Sequence, residues 1–173
     1  SDLNRRGMGL MLDLVLNHVG PETPLTTAQP DWFHGLGDVT DWTDDVQRRT
    51  HDVHGLPDLD QSKPEVVRHL NADGLHWIRE VGPSAIRVDA VRHLEVPFLN
   101  QWIQTMAQAS PTPIAFAGEV FDGNPVAKSW LKETKFLVPE LVPDTDNLML
   151  PLVSFGACPP CQCPVSHLAE SIE

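Results

Sequence analysis

Residues 84–93 read Ser-Ala-Ile-Arg-Val-Asp-Ala-Val-Arg-His. An apolar strand pattern ends there in Asp89, with Arg87 two residues before it and His93 four after it. Alternate residues of a strand share one side, so Arg87 and Asp89 can face a single pocket. A carboxylate beside a guanidinium stays ionised, which suits a nucleophile or an electrostatic stabiliser; a purely structural Arg–Asp pair fits the same pattern. Residues 114–121, Ile-Ala-Phe-Ala-Gly-Glu-Val-Phe, repeat the form and end in Glu119. Gly118 allows the backbone to turn or to approach a ligand closely. Phe116, Val120 and Phe121 predict a desolvated Glu119 with a raised pKa. One carboxyl pushed down and one pushed up is the arrangement of a nucleophile with a general acid, and glycoside hydrolysis uses such a pair.

These acids need strands to carry them. A third run, 8–18, reads Met-Gly-Leu-Met-Leu-Asp-Leu-Val-Leu-Asn-His. Its near-continuous apolar stretch (8–16) predicts a strand of a parallel sheet, buried on both faces. Three strands that end in polar side chains and precede helix-like sequence predict an α/β fold of the (β/α) barrel kind, with its chemistry at the C-terminal strand ends. Ser62, Pro64 and Glu65 have the spacing of an N-cap, a first-turn proline and a capping box. The helix they open carries Val66, Leu70, Leu75, Trp77, Ile78 and Val81 as its apolar stripe, up to Gly82-Pro83. A second helix over 96–109 buries Phe98, Leu99, Trp102, Ile103 and Met106. Further elements are predicted at 125–133 (helix) and 147–153 (a fourth strand). Residues 19–64 are irregular and rich in turn formers; so long a connection reads as an inserted subdomain or a substrate-facing loop. Trp32, Phe33 and Trp42 lie in it, and the small core of the insert is favoured over sugar stacking for each.

On these motifs the chain resembles the α-amylase superfamily of glycoside hydrolases. Its ordered signatures correspond to Asp13-Leu-Val-Leu-Asn17-His18, Gly55-Leu-Pro-Asp58-Leu-Asp60, Arg87-Val-Asp89-Ala-Val-Arg92-His93 and Gly118-Glu119-Val120. The resemblance covers residues 1 to 155. It implies a partial (β/α)8 TIM barrel, about strands 3 to 6, built from 1–18 and 65–173, with 19–64 inserted. It implies Asp89 as nucleophile, Glu119 as acid/base and Arg87 as the cation that orients Asp89 and holds it charged. His18, His93 and Arg92 would bind sugar; Arg92 stands where many relatives carry Lys and offers a flat fork in place of a point donor. Asp13 is expected to pair with Arg87. Asn17, Asp58 and the backbone carbonyl of His93 match positions that bind calcium in many members, and hard oxygen ligands suit Ca²⁺. Asp60 replaces a residue that is often Asn.

The implied activity is retaining hydrolysis of α-1,4-glucosidic bonds in starch or maltooligosaccharides. Alternatives are a transglycosylase or a sucrose- or trehalose-acting relative, and, in another class, a non-catalytic carbohydrate-binding or transporter-associated barrel. The family's later His-Asp pair, whose Asp supports the transition state, does not follow Glu119. Residues 1–6 carry neither an initiator Met nor a signal-peptide core, and 173 residues fall short of the ~250 of a complete barrel. The expectation is therefore an internal piece of an enzyme, inactive in isolation.

Composition excludes other classes. A net charge of −12 with no Lys/Arg cluster repels phosphate backbones, and no apolar run approaches the ~20 residues that span a bilayer. A neutral α-glucan is compatible with this charge. Cys158, Cys161 and Cys163 are odd in number and clustered, so they form no disulfide framework, and no second ligand pair follows for a zinc site. The prolines of 156–164 forbid the helix expected there, while 165–173 look helical again. Oligomeric state and cellular location are not readable; breaking down a polymer would suit an exported protein.

Overall fold

The computed structural model describes residues 2–119 and 152–153. A short helix, α1 (Asp2–Arg5), leads into strand β1 (Met11–Val15). Two short helices follow, α2 (Leu25–Ala28) and α3 (Asp45–Thr50), with a 3-10 turn at Pro30–Trp32 between them. Helix α4 (Pro64–Val81) precedes β2 (Ala85–Asp89), and α5 (Val96–Ala109) precedes β3 (Ala115–Gly118). Strand β4 (Leu152–Val153) completes a sheet of order β1-β2-β3-β4.

The first three strands are parallel. Met11 pairs with Ala85 and Val15 with Asp89; Ala85 pairs with Ala115 and Val88 with Gly118. This register sets the ends of β1, β2 and β3 level, so residues just past each strand meet on one side. Strand β4 departs from expectation. It pairs antiparallel with β3, Phe116 against Val153, whereas the next strand of a (β/α) barrel would be parallel; an antiparallel neighbour needs no helical crossover. The rest of the predicted strand, 147–151, lies outside the described residues. So do the helices predicted at 125–133 and 165–173 and the Cys/Pro-rich segment.

Strand β1 also differs from the doubly buried strand predicted for it. None of its residues is buried, and Met11 and Val15 are 47% and 45% exposed. The reason is its place at the sheet edge. Burial is concentrated on the helix-facing side of β2 and β3, where Ile86, Val88 and Phe116 pack against α4 and α5. Trp102 meets Phe116 edge-on at 6.4 Å and donates its indole N–H to the Leu70 carbonyl at 3.2 Å. All of the apolar residues predicted for α5 are buried.

Helix α4 matches its prediction less closely. Val66, Leu70 and Ile78 are buried, but Trp77 and Val81 are exposed. Gly74 occupies the crossing with α5; a Cβ there would lie 2.6 Å from the Met106 sulfur. The predicted cap also fails. Lys63 is the N-cap and makes no side-chain capping bond. Ser62 is held one turn back, its N–H and hydroxyl both donating to Asp60 Oδ1. Local Asx turns compete with helix caps in this way.

The segment between β1 and α4 is irregular, as predicted, but anchored. Isolated bridges join His18 to Asp58 and Phe33 to Leu59. Helix α3 was not foreseen, although Asp44 followed by Gln47 has capping-box spacing. Asp44 does cap it, accepting from Val46 and Gln47 N–H, while the Gln47 side chain instead accepts from Thr40 and Asp41 N–H. Among the described residues no helix is long and apolar enough to cross a membrane.

Candidate active site

Arg87 is the hub of the strand ends. Its face of β2 lies opposite Ile86 and Val88, so the guanidinium points away from the helices. Nη1 reaches Asp89 Oδ1 at 3.1 Å, and Nη2 reaches Glu119 Oε1 at 2.6 Å. Nη1 also donates to Asp13 on the edge strand, at 2.5 Å to Oδ1. One planar cation therefore holds carboxylates from three consecutive parallel strands. Burial works to lower the Arg87 pKa, but the Asp13 hydrogen bond and the charges of Glu119, Asp13 and Asp89 outweigh it and raise it.

The surroundings of Glu119 differ from the apolar pocket predicted for it. Phe116 turns to the opposite, helix-facing side, and Val120 and Phe121 lie outside the described residues. Both Glu119 oxygens face donors: Oε1 the guanidinium, and Oε2 the Ala90 N–H at 3.4 Å. Backbone bonds from Glu119 N to the Val88 carbonyl and from Val91 N to the Glu119 carbonyl fix the residue against the end of β2. Gly118 is also reassigned. Its missing side chain admits Val91, whose methyl carbons would lie 3.1 and 3.2 Å from a Cβ; the close approach is to the core and not to a ligand.

Asp89 and Glu119 open on a pocket of about 530 Å³ that His18, His93 and Arg92 also line. His18 Nε2 stands 4.0 Å from Asp89 Oδ2, and its Nδ1 is buried with no hydrogen-bond partner among the described residues. Burial pushes the His18 pKa down, against the pull of Asp89. Burial also lowers that of His93, helped by Arg92, and outweighs its bond to Arg48. Both rings are thus neutral at pH 7, and His93 Nδ1, by donating to the Arg48 carbonyl at 2.7 Å, leaves Nε2 as an acceptor. Arg92 is 9% exposed, and burial together with the Arg48 charge lowers its pKa to about 10.

Sequence reasoning missed Arg48 and His54, both in the inserted segment and, with Trp42, lining this cavity. The sequence favours the insert core for Trp42, yet it is 43% exposed; Trp32 and Phe33 are the two that pack against the core. The signal that could have found Arg48 is the Asp44/Gln47 spacing, which starts the helix carrying it.

The residues predicted to ligate a metal lie beside the pocket. Asn17 and Asp58 are both fully buried. Leu59 N donates to the Asn17 carbonyl at 2.8 Å, which brings the two side chains' segments together. Asn17 Oδ1 and Asp58 Oδ1 have no hydrogen-bond partner among the described residues. Burial pushes the Asp58 pKa up to about 6, although His34 donates or shares a proton at 2.6 Å and Asn17 also favours the anion. The His34 pKa is raised chiefly by that same bond. No group of three His, Cys, Asp or Glu converges on a metal position among the described residues; the His93 ring is engaged with Arg48.

Comparison with known proteins gives consistent relatives. No family model matches the chain. An intracellular maltogenic amylase of Bacillus subtilis is 28% identical over 158 residues, 86% of this chain and 26% of that protein. A cyclomaltodextrin glucanotransferase of Klebsiella oxytoca is 37% identical over 75 residues, 43% of this chain and 11% of that protein. Among solved structures, the α-amylase of Geobacillus thermoleovorans complexed with acarbose is similar with a TM-score of 0.70 and 32% identity, over 75% of this chain and 29% of that one. The chain thus spans about a quarter or less of the length of the curated relatives named here.

Proposed function

The chain belongs to the α-amylase superfamily of glycoside hydrolases, and from that premise we propose that it carries the nucleophile and the acid/base of a retaining enzyme cleaving α-1,4-glucosidic bonds in starch or maltooligosaccharides. The observation that supports this most directly is the single guanidinium of Arg87 touching both Asp89 and Glu119 at the mouth of one pocket. Asp89, oriented by Arg87, attacks the anomeric carbon and displaces the leaving oxygen; Glu119 delivers the proton to that oxygen and later takes one from the incoming water. With both its oxygens turned to donors, Glu119 has to swing its carboxyl from Arg87 toward the glycosidic bond when substrate enters. His18 and His93, neutral at pH 7, exchange hydrogen bonds with sugar hydroxyls, and Arg92 closes the same wall. Residues 1–18 and 65–173 belong in this reading to a (β/α) barrel, and 19–64 to an inserted subdomain that covers its strand ends.

Calcium fits the residues beside the pocket. The two partnerless buried oxygens of Asn17 and Asp58 are hard donors of the kind Ca²⁺ takes, and the His93 carbonyl would join them. The ion would supply a structural tie between the end of β1 and the inserted segment.

The experiment uses the protein of the full reading frame and measures products from starch, maltotriose and sucrose. Asp89→Asn should abolish turnover while leaving the fold intact; retained turnover would remove Asp89 as nucleophile. The glucanotransferase similarity favours transfer to a sugar acceptor as the second reading, and cyclic or lengthened products would select it.

A further inference from the structure

We propose that Trp42 is the platform on which a glucosyl ring of the substrate stacks, in a subsite adjoining the one where Asp89 and Glu119 act. This rests on the glucan reading above and adds the residue that holds the neighbouring sugar. Trp42 comes from the inserted segment, far in sequence from both acids, yet it lines their pocket. It keeps 43% of its surface exposed, where an indole ordinarily seeks a core, as Trp102 does in this fold.

Despite that exposure, the ring is held firmly. The His54 ring lies 5.3 Å away at a tilt of 34°, and His93 stands edge-on at 6.1 Å. Arg48 donates from Nη1 to the Trp42 carbonyl at 2.6 Å. On the other side of Trp42, Thr43 is pinned through its N–H and hydroxyl to Asp41 Oδ1. Helix α3 is itself fastened to the end of β2: the Arg48 carbonyl accepts from His93, and Arg49 Nε meets Glu95 at 3.1 Å. His54 adopts a φ of +54°, a conformation seldom taken by a residue with a Cβ. Such strain persists where the surroundings over-determine it, and it clusters at functional sites.

A pyranose matches what this arrangement offers. Its axial C–H groups form an apolar face that an aromatic ring can cover, while its equatorial hydroxyls point outward to hydrogen-bonding groups. Here the neighbouring groups are the imidazoles of His54 and His93. Because the indole is already fixed, little ordering is left for the ligand to impose, which favours affinity.

The test uses the full reading frame with Trp42→Ala and Trp42→Phe, on maltooligosaccharides from maltotriose to maltoheptaose. The Ala variant should raise KM for maltoheptaose about tenfold or more, with kcat changed less than about threefold and an unaltered melting temperature. The Phe variant should return KM to within about threefold of the parent. In a Glu119→Gln background, maltoheptaose should shift the tryptophan fluorescence, and adding Trp42→Phe should remove that shift. An active parent whose KM survives Trp42→Ala overturns the platform and leaves the glucan reading standing. A lowered melting temperature with kcat and KM lost together overturns it in favour of a merely structural ring. A parent that neither binds nor cleaves any α-glucan overturns both readings.

Discussion

Replacing Arg87 by Met keeps most of the side-chain volume and removes the charge shared by three carboxylates. Asp89 and Glu119 are 21% and 20% exposed and Arg87 22%, so these contacts are only partly screened, and hydrogen bonds to charged groups of this kind contribute roughly 1.5–3 kcal/mol each. Asp13 is 58% exposed, and its contact is worth at most about 1 kcal/mol. Allowing for non-additivity, Arg87→Met should cost about 4 kcal/mol of unfolding free energy at pH 7, a large share of an ordinary domain's stability. Urea unfolding at pH 7 reads that loss directly. Arg87→Lys should fall between, since a point charge cannot bridge two acids held by opposite ends of a fork. A deficit under about 1 kcal/mol at pH 7 would refute the hub.

Two further outcomes follow from other parts of the molecule. Gly74→Ala improves helix propensity by ~1 kcal/mol, but its Cβ would lie 2.6 Å from the Met106 sulfur and 2.9 Å from Trp102; overpacking of ~1–3 kcal/mol should win, and a higher melting temperature would contradict the close crossing of α4 and α5. Calcium in excess should raise the melting temperature above that in EDTA, with about 2.7 kcal/mol gained at a hundredfold excess over Kd, and Asp58→Ala should abolish the rise; a calcium response that survives Asp58→Ala sinks the assignment of that ligand.

The parts legible in the sequence are those where local pattern and tertiary demand agree. Helix α5 was readable because its 3.6-residue stripe is buried without exception against one sheet face. Arg87 and Asp89 were readable as a pair because strand period alone sets their common side. What failed needed knowledge of neighbours. The exposure of β1 depends on its edge position, and Trp77 and Val81 are left outside because α5 meets α4 on one face only. The environment of Glu119 was misjudged for a related reason: adjacent apolar residues in a strand face away from it, so Phe116 could not desolvate it, whereas Arg87 is its neighbour one strand over. Trp42 and Arg48 were hidden more deeply. Nothing in their local spacing points to the ends of β2 and β3; the docking of α3, through the Arg48 carbonyl and the Arg49–Glu95 pair, brings them there. A loop's contribution to a site is encoded in where it is tied down. In this chain the ties are a capping aspartate, a glutamine turned back on the loop, the Arg49–Glu95 pair, and one imidazole reaching across from the turn that follows β2.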